Sequence, residues 1–217
     1  VSEALYDTLF PEVLIHAPNC PEPTVITSIR DAVYEFCTET MWLTAEIDPI
    51  DVEANESDYE IPTPRAGYEV VEVTGPLWWG TRKLMRRNED ELDQLYGVNW
   101  RVLGSQFPET YVMRSPSTFT LVPTPTIDAP EIITGRVAVA PSLTSTRADS
   151  DLLRIHRVGL AHGALAKIYS IPDQPYTHED KALLFGRLFN SAKGKAAARV
   201  RSGYSNAPAR VVPPKFW

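Results

Sequence analysis

The sequence predicts an α+β protein: a helical bundle formed by N- and C-terminal helices, an inserted, mainly antiparallel β subdomain, and an extended C-terminal tail. Apolar residues recur every three to four positions near both ends of the 217-residue chain, the spacing of amphipathic helices. Between about residues 42 and 142 the period shortens toward two, that of half-buried strands. Nineteen prolines against eleven glycines imply stiff, extended connections between short elements. The expected division is a bundle of residues 1–42 with 143–202, a β-rich insertion over 43–142, and a tail over 203–217.

Taken in order, Ser2 to His16 places Leu5, Leu9, Val13 and Ile15 at roughly helical spacing, broken or kinked by Pro11. Ala17 to Pro23 reads as a loop. From about Pro21 to Met41, the positions Val25, Ile29, Ala32/Val33, Phe36/Cys37 and Met41 follow i, i+4, i+7 and i+11, a continuous helix with Arg30, Asp31, Glu35 and Glu39 on its polar face. Proline suits the first turn of such a helix, where its missing N–H is no loss.

Strands are expected around Leu43, Ala45 and Ile47, around Tyr59 and Ile61, and over Tyr68–Thr74, Tyr111–Arg114, Thr118–Val122 and Ile132–Ala140. Ser115-Pro116-Ser117 is a hairpin turn between two of them. A short helix over Asn88–Tyr96 has a capping side chain at Asn88 and a stop at Gly97. Asp149 or Ser150 caps one helix running to about Ser170. Apolar residues lie on both of its faces, and Gly159 and Gly163 allow a neighbour to approach closely. Thr177-His-Glu-Asp180 resembles a capping box opening a last helix to about Arg201, about 36 Å long at 1.5 Å per residue.

The net charge of −7 conceals a polarity along the chain. Residues 1–72 hold sixteen acids and two bases, Arg30 and Arg65, whereas after Asp180 there are eight bases and no acid. Opposite ends of this kind imply different surroundings for the two ends or head-to-tail attraction between copies. A solvated helix followed by an unstructured tail is the plainer reading, and a basic end can also bind nucleic acid. No run of about 18 apolar residues is present, so no spanning helix and no membrane partner are expected. Nothing reads as a signal peptide, and Val1-Ser2 resembles a start that has lost its initiator methionine. Cys20 and Cys37 make no disulfide framework, which suits a reducing site of synthesis.

No catalytic residue, metal site or cofactor is expected. His156 and His162, six apart on one helix, point about 600° round and cannot share a metal. The cysteines lack a CxxC or zinc spacing, and Cys37 lies on an apolar helix face. No GxSxG elbow, P-loop, GxGxxG or HExxH is present. Acid pairs such as Asp48/Asp51 and Asp149/Asp151 fall in loops or caps, where solvation or N-capping accounts for them.

The tail is the most informative local feature. Arg210-Val211-Val212-Pro213-Pro214-Lys215-Phe216-Trp217 ends a polar segment in two aromatic residues, a solubility liability unless they are covered. Aromatic anchors on a proline-stiffened segment suit docking into a groove, or folding back onto the chain's own domain.

Cys20-Pro21-Glu22-Pro23, then Ile29-Arg30-Asp31-Ala32 and Glu35-Phe36-Cys37, resemble the opening of tailed-phage head-to-tail adaptor (connector, or tail tubular A-like) proteins. So does the later order of Tyr59-Glu60-Ile61-Pro62, the Glu89–Leu95 helix, Leu121-Val122-Pro123-Thr124-Pro125, and Gly163-Ala164-Leu165-Ala166 before Pro172 and Pro175-Tyr176. The resemblance runs over roughly residues 10–200. It implies a structural virion protein at the head–tail junction, assembled in the host cytoplasm as a homo-oligomeric ring, typically dodecameric. Such a ring binds the portal protein, receives the tail nozzle or tube protein, and continues the channel through which double-stranded DNA passes without sequence-specific binding. By the same resemblance residues 210–217 dock into the portal, while Lys193, Lys195, Arg199 and Arg201 of the last helix are candidate subunit or portal contacts. The free chain is expected to be a monomer that closes into a ring on the portal. The rival reading is a nucleic-acid-binding packaging or regulatory module using that basic helix. A virion hydrolase, with acids from the sheet joining His156 or His162, is the third.

Overall fold

The longest element of the N-terminal third follows directly from its apolar period. Helix α2 spans Glu22–Thr40, and Val25, Ile29, Ala32, Val33, Phe36 and Cys37 are all fully buried, so one stripe of the helix forms core. It stops where Met41 takes a positive φ of 53°. Residues 2–203 are described in this computed structural model, which has mixed α+β architecture. The chain divides into two compact units, residues 1–32 with 149–217 and residues 33–148.

In the first unit the N-terminus departs from the single kinked helix its spacing suggests. Glu3–Leu5 is extended, Tyr6–Leu9 is a 3₁₀ turn, and only α1, Phe10–Leu14, is α-helical. Pro11 sits in the first turn of α1, where it begins the helix rather than breaking one. The helix expected over 149–170 is two, α4 (Ser150–Ile155) and α5 (Arg157–Tyr169). Between them His156, at φ −104° and ψ 16°, leaves helical geometry. The Asp149 carboxylate accepts from the Leu152 N–H at 3.0 Å and caps α4. The last helix, α6, is Glu179–Arg201, and its expected capping box does not form. The Thr177 hydroxyl is used instead by the preceding turn: it donates to the Ile171 carbonyl and accepts from the Gln174 N–H at 2.9 Å.

Helix α5 packs along α6, with α1 and α4 also against α5. Gly159 and Gly163 permit this approach. A Cβ on Gly159 would lie 2.8 Å from the Ala192 Cβ, and one on Gly163 2.9 Å from the Phe189 ring. Both cysteines are free and buried, and burial raises the Cys20 thiol pKa despite the lowering effect of a hydrogen bond with Tyr176.

The second unit is built from small sheets. The hairpin Thr110–Met113/Thr118–Val122 pairs Tyr111 with Leu121 and Met113 with Phe119 around the Ser115–Ser117 turn. Asp58–Glu60 lines one side of it and Met85–Arg86 the other. A second sheet orders Ile50–Val52, Ala129–Thr134, Trp78–Trp79 and Arg82–Lys83, and a third places Arg136–Pro141 between Thr44–Glu46 and Tyr68–Val73. The strand expected over Ile132–Ala140 is thus two strands in separate sheets. The chain changes sheet at Gly135, where a Cβ would come within 2.6 Å of Leu77 Cδ2.

A continuous apolar core, including Ile61, Leu77, Trp79, Tyr111, Phe119, Leu121, Ile133 and Val137, unites the sheets. Each such side chain contributes roughly 1.5–3 kcal/mol on burial. Helix α3, Glu89–Tyr96, closes a second cluster of Leu92, Trp100, Val112 and Val122. It begins and ends as its residue types dictate, with Asn88 Oδ1 accepting from the Glu91 N–H at 2.7 Å and Gly97 at φ 71°.

Candidate functional site

Helix α6 presents two faces of opposite use. Phe185, Phe189, Lys193 and Ala196 are buried, a four–four–three spacing that keeps them on one stripe. Leu184, Leu188, Lys195 and Arg199 recur at i, i+4, i+11 and i+15 on another face, and all four are exposed. Opposite this face, Arg154, Ile155 and Val158 project from the α4–α5 junction, and between the two sides runs an open groove of about 610 Å³. Its aliphatic residues are left exposed by the unit's own packing, Val158 to 62% and Leu188 to 41%.

The charge around this groove has one sign. Arg154, Arg157, Lys195 and Arg199 line it without a carboxylate among them. Arg157 is paired with Glu12 and Arg154 with Asp151, the latter at 2.9 Å between two exposed side chains, so the second pair removes little field. Lys195 and Arg199 make no ion pair among those found in the described residues. His156 adds no positive charge at neutral pH, because burial, assisted by the nearby Arg199 charge, lowers its pKa to about 4.

The other histidines belong to an aromatic cluster at the far part of the α5–α6 contact. Phe185 stacks on Tyr169 at 5.8 Å and an interplanar angle of 17°, with the His16 and His162 rings 5.4 and 5.5 Å from it. The Tyr169 hydroxyl donates to the His16 carbonyl at 2.6 Å, and burial, then the neighbouring His16, lowers the His162 pKa. Packing accounts for all of these groups. Among the described residues no group of three or more His, Cys, Asp or Glu could hold a metal, and no helix is long and apolar enough to cross a membrane.

The four basic residues singled out on the last helix therefore separate. Lys195, Arg199 and Arg201 are exposed, but Lys193 is only 6% exposed, its ammonium 4.6 Å from the centroid of the Phe189 ring. A side chain so placed serves the interior of its own unit. Arg210–Trp217 lie outside the described residues. Sequence reasoning missed Arg154, Ile155, Val158 and Leu188 as surface residues. For Ile155 and Val158 the signal was the apolar residues on both faces of the 150–170 segment, which read equally well as a helix buried all round, whereas Leu188 lies on α6.

A second surface of uniform sign lies in the other unit. Thr44–Glu46, Ile50–Val52 and Asp58–Glu60 are consecutive in the chain, and each is the edge strand of its sheet. Along them Glu46, Asp48, Asp51, Glu53, Glu56, Asp58 and Glu60 are exposed, and no base occurs between Arg30 and Arg65. Glu46 is bridged by Arg136 at 3.2 Å, and Asp51 accepts from the Glu131 N–H at 2.7 Å.

No curated protein matches the chain in sequence. The family model of the SU10 adaptor protein matches residues 6–212, and with nearly its whole length covered the chain belongs to that family of phage head-to-tail adaptors, structural components of the virion.

Proposed function

We propose that this adaptor forms a ring, of twelve copies by the family resemblance, that joins the portal to the tail nozzle or tube and continues the DNA channel. The observation that carries this reading is the family match over residues 6–212. The open groove on α5 and α6 supports it, because an apolar surface with a basic rim on a structural protein calls for a protein partner. A closed ring is a heterologous assembly in which one face of a subunit meets a different face of the next, and the two surfaces of opposite sign suit that geometry. DNA passes through such a ring without sequence-specific contacts.

In the same reading, residues 1–42 and 143–202 form the helical part, 43–142 the β insertion, and 203–217 the segment that docks on the portal. Phe216 and Trp217 are its anchors, worth roughly 1.5–3 kcal/mol each before ordering costs. Repetition around a ring makes a modest gain per copy sufficient. Assembly takes place in the host cytoplasm, and Lys195, Arg199 and Arg201 contact a neighbouring subunit or the portal.

The test is capture of the purified chain on portal rings, full length against a chain stopped after Ser202. Capture of the full chain and loss on truncation support both the adaptor role and the anchoring tail. Equal capture keeps the role and removes the tail from it. No capture of either, with tight salt-sensitive binding to duplex DNA instead, favours the nucleic-acid reading that the exposed Lys195, Arg199 and Arg201 also permit.

A further inference from the structure

We propose that the groove between the α4–α5 junction and α6 is the receptor for the acidic edge ribbon, residues 46–60, of a second copy of this chain. This pairing rests on the ring reading above and names the surfaces that meet. Its basis is complementarity in both charge and apolarity. The groove has an aliphatic floor of Ile155, Val158 and Leu188, flanked by Arg154, Lys195 and Arg199. The ribbon has Pro49, exposed, and Ile50, half-buried, between the exposed acids Asp48 and Asp51, followed by Glu53, Glu56 and Glu60. Apolar residues flanked by one sign of charge face apolar residues flanked by the other.

Other occupants fit less well. The chain's own terminal segment, residues 204–217, carries Arg210 and Lys215 and no acid, so it shares the sign of the groove. Nucleic acid would match the basic rim, but the exposed floor residues are aliphatic rather than aromatic, and they give bases no stacking surface. The ribbon also has unsatisfied capacity. Its three strands are sheet edges, where acids deter a further strand from adding to the sheet, and Asp48, Glu53, Glu56 and Glu60 make no ion pair among those found in the described residues.

The test is a charge swap on the full chain. K195E/R199E makes the groove acidic, and E56K/E60K makes the ribbon basic. Isotopically light and heavy populations are mixed and treated with a zero-length carbodiimide, at high concentration alone and again on portal rings. Mass spectrometry then identifies links between unlike chains. The wild type is expected to link Lys195 of one chain to Glu53, Glu56 or Glu60 of another, and the E56K/E60K chain alone to lose the Lys195–Glu53 link that its chemistry still allows by about tenfold or more. An equimolar mixture of the two reversed chains should recover the Lys195 links, between unlike chains only, with circular dichroism showing all variants folded.

Wild-type links that fall elsewhere, links only within one chain, no links in either condition, or no recovery in the mixture would overturn the pairing. Reversed chains that still close into rings on the portal would also overturn it while leaving the ring reading intact. Links and recovery in free chains that do not bind portals would instead uphold the pairing and remove the portal role.

Discussion

Gly163 meets the ring of Phe189 across the α5–α6 contact with no room for a methyl group, since a Cβ there would sit 2.9 Å from both Cε2 and Cζ and 3.0 Å from the Ala32 Cβ. The ring is itself buried and cannot swing away cheaply. Overpacking of this kind costs about 1–3 kcal/mol and outweighs the gain of about 1 kcal/mol from replacing a helical glycine. Gly163→Ala should therefore lower stability by up to about 2 kcal/mol in denaturant unfolding. Gly186→Ala and Gly194→Ala on α6, where nothing lies within 4 Å of the added carbon, should raise it by up to about 1 kcal/mol.

Two lysines two positions apart on α6 should respond to substitution in opposite assays. Lys193→Ala removes a buried stem and a cation 4.6 Å from the Phe189 ring centroid, and should cost about 1–2 kcal/mol of stability. Lys195→Ala leaves stability within about 0.5 kcal/mol but should weaken assembly on the portal. Thermal melts together with portal capture separate the two roles.

His156 should make the protein less stable in mild acid. Its pKa is lowered from 6.5 to about 4 in the fold, first by burial and then by the Arg199 charge. Between those values the unfolded chain binds a proton that the folded one refuses. The stability this histidine permits is thus complete above about pH 6.5 and is lost as the pH falls toward 4. The loss should be on the order of 2 kcal/mol, allowing for the ring's partial exposure. His156→Gln should flatten that part of the unfolding curve. Arg199→Ala should raise the His156 pKa in an NMR titration.

Gly135 is the point at which the chain changes sheet, and the nearest atom to an added Cβ is Leu77 Cδ2 at 2.6 Å, in a side chain with no exposure. Gly135→Ala should cost about 1–3 kcal/mol. Leu77→Ala alone should cost about 2–5 kcal/mol. In the double variant the glycine substitution should become cheaper, because the colliding methyl group is gone, and a double-mutant cycle on unfolding free energies measures that coupling.

The elements legible in the sequence were those whose local chemistry is self-sufficient. Helix α2 shows its period, α3 carries its own cap at Asn88 and stop at Gly97, and the 110–122 hairpin has Ser115-Pro116-Ser117 between two apolar runs. Expectations failed where contacts other than a segment's own apolar period decide the conformation. Gly135 divides the run Ile132–Ala140 where the chain passes close to Leu77, and the Thr177 hydroxyl serves Ile171 and Gln174 rather than α6. The groove was hidden for a related reason. A periodic apolar residue marks the face that will be covered, but not whether its own chain or another molecule covers it, so the apolar residues on both faces of the 149–170 segment did not reveal that Ile155 and Val158 are exposed. The basic character of α6 was plain from composition, whereas the inward turn of Lys193 depends on Phe189 one turn away.

Both thiols of the chain are enclosed, Cys37 completely and Cys20 to 6% exposure. Only the thiolate reacts readily with oxidants or disulfides, and burial keeps Cys20 protonated to a higher pH than a free cysteine. A virion component is made inside a cell and then spends an indefinite time in aerated surroundings. Neither thiol is a surface group, so a stored particle has no cysteine of this protein with which to crosslink or glutathionylate readily.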